Sequence, residues 1–304
     1  MAVPPSGEQL HLEHGDQRAT VVEVGAGLRE YRHGDRDVVE PYDVTAMPDG
    51  AHGATLVPWP NRIGDGRYSF DGSEYQLALT EPEKGNAIHG LLRWVPWRAV
   101  ERNRSSVMLA VRLHPQQGFP FALDVSVRYS LTDDGLTVST RATNVGDRAC
   151  PFGTGHHPYL SPGEGLVDAC LLQVTAATRV TTDSERQLPT GTEPVAGTAF
   201  DFTEPRPLGG LEVDHAFGDL VRDGDGRAWV RLTGPDGRTA ALWADEGYRY
   251  LEVFTGDTLA EGRRRTGLGA EPMTCPPNAF RTGTDVLRLE PGRSVAASWG
   301  VRLV

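Results

Sequence analysis

Phe121, Leu123, Val125, Val127, Tyr129 and Leu131 occupy every second position of one short stretch, with Asp124, Ser126, Arg128 and Ser130 between them. A period of two sends alternate side chains to opposite faces, so this stretch is a strand with one buried and one wetted face. The Asp133-Asp134-Gly135 turn returns the chain into a second strand over 136–143. A core built on such alternation must be covered by another apolar sheet face. That requirement restricts the chain to packed antiparallel layers.

The punctuation of the remaining sequence agrees. Asp-Gly, a strong hairpin-turn signal, begins at Asp49, Asp65, Asp71, Asp134, Asp223, Asp225 and Asp236. The 36 glycines and 22 prolines leave few windows long enough for a helix. Short strands are expected at 10–12, 20–24, 107–113, 229–232, 240–243, 248–254, 286–289 and 295–303. Tyr68 and Phe70 lead into Asp71-Gly72, and Tyr75, Leu77 and Leu79 return from it as a hairpin. The best helical window is 167–180, although Thr175, Thr178 and Val180 suit a strand equally. With no repeat and no linker, the expectation is an all-β chain: residues 1–304 form one large antiparallel β-sandwich with few short helices and long, polar loops.

Charge and cysteine use narrow the function classes. A formal charge of -11 argues against nucleic acid or an anionic membrane surface as a partner. The N-terminal segment lacks a basic region followed by an apolar run, and no stretch approaches a membrane span. Cys150, Cys170 and Cys275 are odd in number and lack C-x-x-C spacing, so they read as reduced thiols of a cytoplasmic protein.

The chemistry-bearing residues lie in loops framed by Gly and Pro. In Gly155-His156-His157-Pro158, a residue before proline is extended, and adjacent side chains of an extended segment face opposite ways. Only one of the two histidines can therefore face a given site. Gly269-Ala270-Glu271-Pro272 has the same grammar with a carboxylate before the proline. An imidazole and a carboxylate can make an acid–base pair, although either residue alone is more often structural. Pro58-Trp59-Pro60-Asn61-Arg62 displays a planar donor fork beside an aromatic ring; a lone arginine there more commonly anchors its loop. His89 precedes Gly90, which permits close backbone approach, and Asp214 stands between apolar residues, where a turn cap is the plainer role. Trp59, Trp94 and Trp97 could stack on a sugar, but tryptophans of β-proteins are mostly core, Trp97 in particular. Arg263, Arg264 and Arg265 read most simply as a solvated loop, with an anionic substrate group as the weaker alternative. No H-x-H, H-E-x-x-H, cysteine pair or phosphate loop is present, so the expected site needs no metal and no cofactor.

Asn61-Arg62-Ile63, Asn86-Ala87-Ile88-His89-Gly90, His157-Pro158-Tyr159, Val213-Asp214-His215 and Ala270-Glu271-Pro272 occur in this order, followed by Pro277-Asn278-Ala279-Phe280. In them the chain resembles the aldose 1-epimerase (mutarotase) family over roughly residues 20 to 303. The resemblance implies a galactose-mutarotase-like supersandwich whose concave face binds a free hexose without a cofactor and interconverts its α and β anomers. Glu271 then matches the family's general base and His157 its general acid. His89, Arg62 and Asp214, with Asn61 beside them, match substrate-binding positions. Two local departures, Leu160-Ser161 after the His-Pro-Tyr and Leu91 after His89-Gly90, resemble a bacterial branch that is uncharacterised or related to sulfosugars. Two alternatives stand beside the enzyme: a non-catalytic carbohydrate-binding or regulatory protein, and an epimerase-like protein acting on a phosphorylated or sulfonated sugar. A small-molecule sugar is the expected partner, with the chain a monomer or a homodimer.

Overall fold

The computed structural model describes residues 3–304; Met1 and Ala2, part of the segment read for a leader, lie outside them. Two large sheets pack face to face. The nine-stranded sheet carries the hairpin foreseen above: Leu123–Thr132 pairs antiparallel with Gly135–Asn144, from Leu123 opposite Asn144 to Thr132 opposite Gly135. Leu123, Val125, Val127, Tyr129 and Leu131 are all buried. Burying each such side chain contributes about 1.5–3 kcal/mol, enough to fix the register, because a one-residue slip would expose the whole row.

The twelve-stranded sheet positions the site. Its centre runs Arg36–Val39, Tyr159–Leu160, Leu268–Met273, Tyr250–Phe254, Asp214–Leu220 and Ala176–Thr182, every neighbouring pair antiparallel. Leu251, Val253, Leu268, Ala270 and Phe217 point inward to one hydrophobic core that also holds Val125, Tyr129 and Trp299 of the other sheet. Period two then sends Glu252, Glu271 and Asp214 to the opposite face. The 167–180 window is not a helix: a single turn at Val167–Ala169 gives way to strands Leu171–Val174 and Ala176–Thr182, as its β-branched residues allowed. The one α-helix among the described residues is Ala279–Thr282. No described helix is long and apolar enough to cross a membrane.

One loop beside the site is held against Val57 by backbone that few residues tolerate. His89 adopts φ 62° and Gly90 φ 73°. A Cβ built on Gly90 would stand 2.1 Å from the Val57 carbonyl oxygen. We therefore expect Gly90→Ala to lower unfolding stability by more than about 1 kcal/mol in a denaturant titration, since both φ and contact oppose it. An unchanged midpoint would refute that close approach.

Candidate active site

The Gly-Pro frame around the two histidines works as their spacing suggested. His156 turns into the sandwich, where its Nε2 meets Thr140 Oγ1 at 2.7 Å and its ring packs on Trp299. His157 turns outward, and its Nε2 lies 3.1 Å from Glu271 Oε1. Both side chains are nearly inaccessible, at 5% and 3%. Glu271 Oε2, His157 Nδ1 and His89 Nδ1 are buried without a protein partner. All three residues line one hollow, and a hydroxylated ligand there would supply partners for such groups.

That hollow has a volume of about 560 Å³, and Asn61, Arg62, His89, His157, Asp214 and Glu271 all line it. All six residues singled out in the sequence are therefore brought together. Arg62 is held by Glu81, which accepts from Nε at 2.9 Å and from Nη2 at 3.0 Å, leaving Nη1 with no partner among the described residues. Asn61 adopts φ 52°, accepts the Arg62 backbone N–H at 2.8 Å and donates to Glu252 at 3.3 Å. His89 stands edge-on to the His157 ring, centroids 5.3 Å apart. Gln187 donates to Asp214 and in turn accepts from Lys84.

Behind His157 the rings form a column. Tyr159 stacks on His157 at 5.0 Å and His52 stacks on Tyr159 at 4.4 Å. Arg263 donates to His52 Nδ1 at 2.8 Å, so Nε2 must carry the hydrogen that reaches the Glu40 carbonyl, also at 2.8 Å. The arginine loop is thus not freely solvated. Arg263 also pairs with Asp49, and Arg265 pairs with Asp168 and Asp257. None of the three lines the hollow. Trp59 and Trp97 are core residues; Trp94 is half-exposed on the rim with the Arg93 guanidinium 5.3 Å from its ring.

Desolvation governs the electrostatics. Burial, then the charges of His52, Arg93 and Arg62, pushes His157 down to about 3, while burial and then Asp214 hold Glu271 well above the usual carboxylate range. Each partner thus favours its uncharged form. His89 is also held well below the usual range, first by burial and then by His157.

Sequence reasoning missed Glu81, Arg93 and Glu252. Glu81 and Arg93 sit in irregular loops with no pattern to mark them. Glu252 carried a signal, being an acid on the alternation of an otherwise apolar strand. Among the described residues no group of three or more His, Cys, Asp or Glu could hold a metal ion.

The two-sheet sandwich, with His157 and Glu271 in contact on one face of its larger sheet, is a galactose-mutarotase-like fold. The aldose 1-epimerase family model matches residues 8–301, and the chain belongs to that family. It is 38% identical over 291 residues to an uncharacterized protein, YihR, of Escherichia coli strain K12, covering 95% of this chain and 91% of that one. It is 30% identical over 212 residues to the aldose 1-epimerase of the same organism, covering 67% and 60%. A GalM/aldose epimerase homologue from C. elegans superposes with TM-score 0.86 at 20% identity, with 98% of each chain covered, a likeness of fold.

His52, His156 and His157 all lie near 3 when folded, against about 6.5 when unfolded. The unfolded chain therefore binds more protons between these values. Stability is fully present above about pH 6.5 and is lost as pH falls toward 3. Imidazole NMR resonances of these three residues should not titrate between about pH 5 and pH 8; a midpoint near the ordinary histidine value for His157 would contradict its desolvation.

Proposed function

We propose that this protein is a cofactor-independent aldose 1-epimerase that interconverts the α and β anomers of a free aldohexose. The observation that carries the reading is the His157–Glu271 contact, 3.1 Å, on the floor of a hollow lined by hydroxyl-binding groups. Ring opening of a cyclic hemiacetal needs a proton taken from the anomeric hydroxyl and a proton given to the ring oxygen. In the reacting form the pair carries one proton, on His157: Glu271 as the carboxylate accepts the first through its unpartnered Oε2, and His157 as the imidazolium donates the second. After rotation about the C1–C2 bond the roles reverse, and the ring closes on the other face of the aldehyde. The one proton held by the pair returns to where it began. Each proton transfer contributes typically ~10²–10⁴-fold, so two suffice for useful acceleration without a covalent intermediate.

Arg62, His89 and Asp214 orient the ring, where a misplacement of about 1 Å costs ~10²-fold. The family relation to galactose mutarotases, 34% identical over 169 residues in the human protein with 52% of this chain and 46% of that one covered, supports the same chemistry. A carbohydrate-binding module gains nothing from two desolvated titratable groups in contact, which favours the enzyme over that alternative. Three buried, free cysteines agree with a cytoplasmic setting.

One observation favours a narrower substrate. Arg93 lines the hollow, and no carboxylate or hydrogen-bond partner engages its guanidinium among the described residues. Burial lowers its pKa, opposed by the charge of Glu81. A phosphorylated or sulfonated sugar would supply the missing anion, and arginine suits such groups.

Polarimetry of freshly dissolved α-glucose and α-galactose tests the reaction. The protein should hasten equilibration, and Glu271→Gln should lower kcat by about 10³-fold or more with the unfolding midpoint unchanged. A variant that keeps most of its rate would remove Glu271 from the base role. For the anionic reading, Arg93→Met should lower kcat/KM for an anionic hexose by about tenfold or more while sparing glucose. Equal losses on both would leave Arg93 a general hydroxyl ligand.

A further inference from the structure

Glu252 lies beneath the hollow and takes no part in the proton transfers described above. The alternation of Tyr250–Phe254 commits Leu251 and Val253 to the core and turns Glu252 to the site face, where it is 3% exposed. Strand register then fixes its neighbours. Glu252 stands directly opposite Glu271 on one side and Ala216 on the other. Asp214 lies two residues before Ala216 on the same strand and face, so it is the diagonal neighbour of Glu252. Three adjacent strands therefore bring three carboxyl groups onto one face.

The groups facing Glu252 are Asp214 and Glu271 from the neighbouring strands, Arg62 from the short strand Arg62–Gly64, and the Asn61 amide, whose Nδ2 donates to Glu252 Oε2 at 3.3 Å. The nearest cation, Arg62, is already engaged by two hydrogen bonds to Glu81. Three ionised carboxylates in a desolvated site whose nearest cation is already paired would repel one another, which favours a proton on one of them. Asp214 is the half-buried member and has Gln187 as a donor. Glu271 has His157 Nε2 at 3.1 Å from its Oε1. Among the described residues Glu252 has no donor except Asn61.

We propose that Glu252 is a positioning residue that keeps its carboxyl proton and donates it to Asp214, while Asn61 donates to its other oxygen. Asp214 is then held between Gln187 and Glu252 with its remaining lone pairs toward the sugar, and Glu271 stays the exchangeable base of the cluster. Burial, followed by the charges of Asp214 and Glu271, holds the Glu252 carboxyl well above its ordinary range and agrees with this assignment. The consequence for turnover rests on the aldose-epimerase reading; the protonation of Glu252 does not.

Two variants and one sugar-free measurement test it. Gln at position 252 supplies an N–H to Asp214 but cannot ionise; Leu removes the donor. Near neutral pH, Glu252→Gln retains kcat/KM within about threefold. Glu252→Leu raises KM about tenfold or more with a smaller change in kcat, the size expected for losing a hydrogen bond to a charged group. Raising the pH ionises Glu252 in the wild type and removes the donor, so Glu252→Gln should carry the alkaline limb of the rate profile to higher pH. An infrared difference spectrum, wild type minus Glu252→Gln at neutral pH, should contain a protonated-carboxyl stretch. Equal impairment of both variants, an unmoved alkaline limb, or the absence of that band would each overturn the proposal. A wild type that does not hasten anomer exchange would sink the epimerase reading instead, and the infrared band would still decide the state of Glu252.

Discussion

The 3.1 Å contact between His157 Nε2 and Glu271 Oε1 organises the site because both groups have been taken out of water. Each alone would be costly to bury in its charged form. Together they need only one proton, which either can hold, and the pair stays neutral in both arrangements. Such a pair can give a proton at one oxygen of a hemiacetal and take one at the other without a change in net charge. The reaction assigned here asks for that and little more.

The rest of the molecule serves to keep that contact dry and in place. Glu271 is placed by register, opposite Glu252 on the neighbouring strand, with Leu268 and Ala270 anchoring its strand in the core. His157 is placed by stacking, with Tyr159 and His52 behind it and Arg263 fixing the tautomer of the outermost ring. An edge-on His89, held at positive φ, closes the near side. A change at Tyr159, His52 or Arg263 would act on proton transfer through geometry, from behind the catalytic pair.

Much of this was legible in the chain. The period-two alternation of 121–131 is an instruction for one strand register, and its partner strand and turn followed from Asp134-Gly135. The opposite orientations of His156 and His157 followed from an extended residue before Pro158. Arg263 and Arg265 did not read correctly, because their partners Asp49, His52, Asp168 and Asp257 are brought to them only by tertiary folding, whereas Arg264 is exposed as expected. Glu81 and Arg93 escaped notice for the same reason: loop residues have no periodicity to betray their direction. The window 167–180 shows the opposite case, where local propensity was balanced and pairing with Ala228–Thr233 and Asp214–Leu220 decided for strands.

Two-dimensional exchange NMR on an equilibrated aldohexose with a small fraction of protein addresses the paired acid and base most directly. Cross-peaks between the α and β C1 protons should appear with the wild-type protein and vanish when His157 is replaced by Asn, with both proteins folded. Equal cross-peaks from the two proteins would contradict a mechanism in which the His157–Glu271 contact moves the protons.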